Sequence, residues 1–431
     1  MKKTFWAFIG LLAPILAIGQ EAAPLTLEEA VRIAKQNAYA VLSAEQDVEF
    51  AKGGVQQARS ALLPKLNANG TYTRYTSEIS AVLDPKQPPI IIRPLDQKSI
   101  ALQLVQAVDI WGISGLALGG ARALEASALA MLSATLNDVA LKAKTTFLDV
   151  LRTDELLQVA EERVVNVTEH LRVAKVRNEA GQTAKFDVFR FEAELASSEQ
   201  ERLQALNNAL LAEASFNEAL SRDVSTPVEL IPPTDIIRVD KTIEELTEKA
   251  KESRPELIAA QRRFDFQNRL RRAREKGNLP ALNLTGNFSY DPEASGLGGA
   301  SDSISATAAL SFPIFDGGLN RSLVRQARAD ETKAKIALDQ ATLGVTLEVK
   351  QAHLNLISAE KQVETAEKGL ISAREALRVA ELRYQEGVGT PLEVSDANAQ
   401  FVAARTAVVN AVFQYRIAVS NLQRAVGSEE F

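Results

Sequence analysis

Two carboxylates, Glu393 and Asp396, stand three residues apart just beyond the turn-forming run Gly387-Val388-Gly389-Thr390-Pro391. On a helix that spacing lets both face the same way. Acids in a first helical turn are also favoured by the helix end itself, whatever else they do. Tyr384 precedes the turn, and Gly181-Gln182-Thr183 forms a second turn, followed by Asp187 and Arg190. Glycine suits a tight helix-to-helix turn on conformational grounds alone.

Other reactive chemistry is thinly provided. The only histidines, His170 and His353, fall in long helical patterns. Gly112, Gly115, Gly119 and Gly120 lack the Lys-Ser/Thr that a phosphate-binding loop needs. No metal-ligand spacing appears, and the chain has no cysteine, hence no disulfide or thiol chemistry. These observations argue against an enzyme and imply no cofactor.

What positions the two turns is a duplication. A shift of 206 residues carries Gly112 onto Gly318, Arg177 onto Arg383, Gly181 onto Gly387, Asp187 onto Glu393 and Arg190 onto Asp396. Upstream the shift becomes 216. It then carries Thr26-Leu27-Glu28-Glu29 onto Thr242-Ile243-Glu244-Glu245 and Leu63-Pro64 onto Leu279-Pro280. The change of ten falls between Pro64 and Leu104, so copy one is expected to hold a longer loop there. A repeat of this length points to pseudo-symmetry in the fold.

Residues 1–19 read as a signal peptide, with Lys2-Lys3, an apolar run from Phe5 to Ile18, and cleavage after Gly19. That run is too short to span a bilayer as a helix, and no later stretch reaches about 18 uninterrupted apolar residues. Processing takes the net charge from −6 to −8. Such a surface does not suit a nucleic-acid partner.

Each copy then reads as helix, strand, strand, very long helix, turn and return helix. Copy one divides into a helical segment (20–64), a β-hairpin (65–109) and a long helical hairpin (112–221). A proline-rich linker (222–241) follows and is expected to pack on the side of the rods. Copy two divides into 242–280, 281–313 and 318–427. Thr26 is the expected first N-cap, with Glu29 completing a capping box. One helix is expected from Thr26 to about Leu62, stopped by Pro64; in copy two it runs from Thr242 to Pro280.

The strands alternate. Leu282, Leu284, Gly286 and Phe288 oppose Asn283, Thr285, Asn287 and Ser289, and the same alternation follows Pro64. The strand connections are turn-rich, at Asp84-Pro85 through Pro88-Pro89 and at Asp291-Pro292 with Gly296, Gly298 and Gly299. Runs of about ten residues suit a tilted crossing of an outer membrane. Four such strands leave open edges and cannot close a barrel alone. The helix beyond Gly318 has no proline before Gly387. It carries a heptad stripe of Val363, Leu370, Leu377 and Tyr384 with alanines between. A second apolar set, Leu343, Leu347, Leu354 and Ile357, with Leu203, Leu206 and Leu210 in copy one, gives more than one packing seam. A wall needs that; a two-helix coiled coil does not.

The order and spacing of three motifs, together with the duplication, resemble the TolC-type outer-membrane efflux protein family over essentially the whole chain after Gly19. The motifs are the Leu63-Pro64 and Leu279-Pro280 junctions, Phe312-Pro313-Ile314-Phe315-Asp316-Gly317-Gly318, and Arg383 through Val394. The resemblance implies a mainly α fold with a small membrane β-barrel. Three chains would give a 12-stranded barrel on an α-helical tunnel, in the outer membrane with the helices in the periplasm. It implies a passive exit duct docking onto a periplasmic adaptor and an inner-membrane pump. By position, Glu393 and Asp396 match the acids that narrow the periplasmic mouth, a constriction that favours cations. Asp187 and Tyr384 match residues that latch neighbouring hairpins. The family's basic latch position is Gly389 here, with Arg190 available as a substitute partner. Gly181, Gln182, Thr183, Gly387, Val388 and Gly389 match the adaptor-docking tips. The competing reading is a periplasmic coiled-coil scaffold or adaptor without a channel.

Overall fold

The computed structural model describes residues 24–82, 89–233, 239, 241–292 and 301–428. The expected signal peptide and most of the two strand-connection turns lie outside the described residues, as do linker residues 234–238 and 240.

The duplication is realised element for element. Copy one comprises α1 (Leu27–Asn37), α2 (Tyr39–Ser60), β1 (Lys65–Arg74), β2 (Ile79–Ala81), β3 (Ile90–Arg93), β4 (Asp96–Val108), α3 (Ile113–Glu179) and α4 (Lys185–Ala219). Copy two comprises α5 (Ile243–Ser253), α6 (Pro255–Glu275), β5 (Ala281–Tyr290), β6 (Asp302–Ser311), α7 (Leu319–Gln385) and α8 (Pro391–Val426). The added length holds a ribbon in which β2 and β3 pair with each other, and among the described residues copy two has no counterpart to it.

The helix expected from Thr26 to Leu62 is two helices, broken at Ala38, whose ψ is 126°. Copy two breaks at the equivalent Arg254, ψ 117°. There the cause is Pro255, which forces its predecessor into extended backbone. Both first helices start on complete capping boxes, at Thr26–Glu29 and Thr242–Glu245. The break lets α1 turn its buried Ala30, Val31 and Ala34 onto Phe147 of α3 and Phe216 of α4. Copy two repeats this with Leu246 and Ala250 on Val349 and Leu422. The linker stays on the side of the rods, with Leu25 and Leu230 bridged as parallel strands.

The rods α3 and α7 have 67 residues each, about 100 Å of rise. Each starts on a left-handed glycine, Gly112 at φ 70° and Gly318 at φ 89°. That conformation costs glycine little, and it swings the chain from strand to rod. Near the sheet, α2, α3, α6 and α7 lie side by side; further down the order is α4, α3, α8, α7. Close approach of α6 to α3 depends on small residues. A Cβ on Gly120 would sit 3.1 Å from Phe266, and one on Gly119 would overlap the guanidinium of Arg269. One stretch of α3 is apolar enough by composition to cross a membrane, but it is continuous with the rod and packs along α2 and α6.

The four long strands form one antiparallel sheet, order β1-β4-β5-β6. Its register separates two faces. Ala68, Leu102, Phe288 and Ile304 line up across one face; Asn67, Gln103, Asn287 and Ser305 line up across the other. Among the described residues no helix packs extensively across either face, and Ile304 is 82% exposed. Among the described residues neither outer edge, β1 or β6, has a second partner strand.

An ion cluster ties the α5–α6 break to both rods. The Arg254 guanidinium, 3% exposed, donates to the carbonyls of Arg424 (2.9 Å) and Ala425 (3.1 Å) and to Glu348 (2.8 Å). Arg424 in turn meets Asp138 of α3, Glu348 and Glu256. The guanidinium lies among two carboxylates and two helix-end carbonyls, and removing it would leave those acceptors short of a donor. Arg254→Met is expected to cost about 2–4 kcal/mol of stability. Thermal melting by far-ultraviolet circular dichroism measures this. An unchanged melt would mean that Arg424 alone sustains the cluster.

Candidate functional site at the hairpin tips

Both hairpins turn by the same device. α3 ends on Gly181 at φ 72°, with Gln182 N–H donating back to Arg177 O at 2.8 Å. α7 ends on Gly387 at φ 75°, with Val388 and Gly389 N–H both donating to Arg383 O at 3.0 and 2.8 Å. These bonds occupy helix-end carbonyls that would otherwise be orphaned. Asn178 Nδ2 closes the first turn onto Thr183 O at 2.8 Å. Thr390 caps α8 by accepting from Glu393 N–H at 3.3 Å. Val388 projects into solvent.

Gly389 has a steric role. A Cβ there would lie 2.9 Å from backbone atoms of Arg383 and Tyr384. No side chain fits at this position in this turn.

Glu393 and Asp396 sit on the first turns of α8, part-exposed and exposed. Glu393 lies 3.8 Å from Arg383 Nε, and Asp396 lies 3.9 Å from Arg190 of α4. The structure thus brings Arg190 and Asp396 together. Contacts this long and this exposed are weak individually.

Tyr384 and Asp187 are not bonded to each other. The Tyr384 hydroxyl is buried without a hydrogen-bond partner. Its ring packs with Ala380 and Val394, and with Val173 of α3. Burial pushes the phenol above its ordinary value, while Arg177 beside it pulls the other way. Arg177 is the residue that the sequence reading did not place at the site. Its guanidinium lies 4.6 Å over the Tyr384 ring. From there it donates to the carbonyls of Tyr384 (2.8 Å) and Gln385 (3.0 Å). Those carbonyls end a 67-residue helix, so a cation there also meets the negative end of its dipole. The available signal was the repeat match of Arg177 with Arg383.

Further bonds tie hairpin one to hairpin two near the tips. Ser395 donates to Glu194 at 2.6 Å, and His170 lies 3.7 Å from Glu381. The site is a clasp between two hairpin ends with acids on its exposed side. Among the described residues no group of three or more metal-ligating side chains converges.

The fold has counterparts. The family model for outer membrane efflux proteins matches residues 30–222 and 246–428, one match per copy. The outer membrane protein TolC of Vibrio cholerae is 25% identical over 408 residues, covering 93% of this chain and 90% of that protein. OprJ of Pseudomonas aeruginosa is 34% identical over 182 residues, 41% of this chain and 37% of that one. Among solved structures, the Campylobacter jejuni CmeC outer membrane channel superposes with TM-score 0.82 at 18% identity, covering 93% of this chain and 85% of its own. VceC of Vibrio cholerae superposes with TM-score 0.80 at 18% identity, covering 93% and 96%. With the model matching both copies across most of the chain, this protein belongs to the outer membrane efflux protein family.

Proposed function

We propose that this chain is one subunit of a passive exit duct in a tripartite efflux or secretion system. Three chains close a 12-stranded barrel in the outer membrane, and their six hairpins form a tunnel through the periplasm. The observation that carries this reading is the sheet. It has one apolar face, one polar face, no core on either, and two bare edges. In a membrane an open edge leaves backbone groups unbonded, so the sheet must be completed. Ten-residue strands at barrel tilt rise about 25 Å, the height of an outer-membrane apolar band. A periplasmic scaffold or adaptor would have no use for such a sheet, and the curated relatives named above are outer-membrane components.

On this reading the tips meet the adaptor, through Gly181, Gln182, Thr183, Gly387, Val388 and Gly389, and the inner-membrane pump supplies the energy. Glu393 and Asp396 line the periplasmic aperture and favour cations there. Arg177, with Arg190, takes the part of the latch, holding hairpin two against hairpin one until docking separates them. The duct performs no chemistry of its own and needs no cofactor.

The reading is tested first by extraction: the protein should leave membranes with detergent and not with salt, and release by salt would favour the scaffold. In planar bilayers, replacing Glu393 and Asp396 by alanine should raise single-channel conductance and relieve block by divalent cations. If neither changes, these carboxylates do not form the aperture.

Arg177→Ala should also raise conductance, several-fold, because two helix-end carbonyls and a ring lose their shared partner. Arg177→Lys should recover only part of the closure, since lysine lacks the planar fork that reaches both carbonyls. Closure fully restored by lysine would reduce Arg177 to a plain charge.

A further inference from the structure

We propose that Arg74 and Lys98 form a binding site for the phosphate-bearing headgroup of a lipid in the outer leaflet. The inference rests on the membrane reading above and names the ligand that the lipid-facing surface takes at its outer rim.

The register decides which face and which end these residues occupy. The row Ala68↔Leu102 lies on the apolar face, and two-residue steps along it reach Tyr72↔Lys98 and then Arg74↔Asp96. Arg74 and Lys98 are therefore on the lipid-facing side, one row apart on neighbouring strands, where long side chains reach each other. Both are exposed. β1 follows α2 and begins at Lys65, so the Lys65 end adjoins the rods and the Arg74 end lies farthest from them. With the rods in the periplasm, Arg74 and Lys98 stand at the outer rim of the barrel.

Charge on this face is confined to that rim. Toward the rods the same face shows Leu66, Leu104, Leu282, Leu284 and Leu310, interrupted by the uncharged Gln106. Lys65, at the rod end, belongs to the opposite face. Moving outward, the apolar rows give way to Tyr290 and Tyr72, 41% and 59% exposed, and then to the two bases. Rings at the hydrocarbon boundary with cations just beyond them match the layering of a membrane interface, and a base costs little there. Of the acids at this end, Asp302 stands on β6, two strands away from β4. Asp96 is nearer but does not cancel the bases. It accepts from the Tyr72 hydroxyl at 2.7 Å and lies 3.6 Å from one terminal nitrogen of Arg74, with both charged side chains exposed. An exposed pair at that separation is weak. A phosphate can be gripped by the guanidinium fork and the ammonium point charge together. The rows beneath, with Ile100 and Leu102, receive the acyl chains of the same molecule. Phosphate and chains joined in one ligand satisfy both surfaces, which a free phosphate does not.

The test is lipid binding by the full-length protein in a non-ionic detergent, read by native mass spectrometry with bisphosphorylated lipid A as the probe. Arg74→Gln with Lys98→Gln should weaken binding about tenfold or more. Lys65→Gln, on the opposite face, should leave it unchanged, and Arg74→Lys should keep most of it. Both substituted side chains are exposed, so far-ultraviolet circular dichroism of the double variant should match that of the unsubstituted protein. Lipid A stripped of its phosphates keeps the same chains and should bind both proteins equally weakly. Undiminished binding of the phosphorylated lipid by the double variant, or equal binding of the two lipids by the unsubstituted protein, would overturn the site. Inorganic phosphate held as tightly as the lipid would overturn the lipid as its source. None of these results bears on the membrane reading, which fails instead if salt alone extracts the protein.

Discussion

A backbone hydrogen-bonding group that enters a bilayer must be satisfied by protein, and this constraint governs the molecule. The four-stranded sheet satisfies its inner strands, β4 and β5, on both sides, but β1 and β6 on one side only. In water, edge groups of this kind are solvated at little cost. In hydrocarbon, each costs several kcal/mol. The alternation of Ala68, Leu102, Phe288 and Ile304 against Asn67, Gln103, Asn287 and Ser305 commits one face of the sheet to hydrocarbon. The four strands of one chain thus leave the sheet incomplete at both edges.

The rods extend this logic into water. An isolated 67-residue helix gains little from its own hydrogen bonds and depends on packed faces. The alanine-rich seam between α7 and α8 is buried within the chain, with Ala380, Ala411 and Ala418 inside. The second seam, from Leu343 to Ile357 on α7, remains bare, with Leu343 73% exposed. Leu354 in that seam is 54% exposed, whereas its copy-one counterpart Leu148 is 2% exposed. The same helical position is core in one copy and surface in the other because only one copy has its neighbour within the chain.

Legibility in the sequence followed period and repetition. The heptads, the strand alternation, the capping boxes and the tip turns all leave local patterns, and the structure has elements at each of them. The break at Ala38 left no comparable mark, since no proline follows it as Pro255 follows Arg254. The ribbon β2–β3 was visible only as an excess of ten residues, because three- and four-residue strands carry too little alternation to detect. Contacts distant in sequence were harder still. The Arg254 cluster joins residues 94 and 170 positions apart, and no spacing rule reaches that far. The tip was half legible. Its turn glycines and acids announce themselves, whereas Arg177 acts through the main chain of another helix, which no side-chain motif encodes.

Divergence between the copies indicates where the pseudo-symmetry is used and where it is broken. The sheet keeps it throughout the four long strands. In the rods, charge can invert without loss, as with Lys142–Glu218 against Glu348–Arg424, because an ion pair is indifferent to which helix carries which sign. At the tips the symmetry is broken. Asn178 stands where the repeat places Tyr384, and Arg190 where it places Asp396. The two hairpin ends of one chain therefore differ in kind, and the clasp made by Arg177 runs from the first to the second.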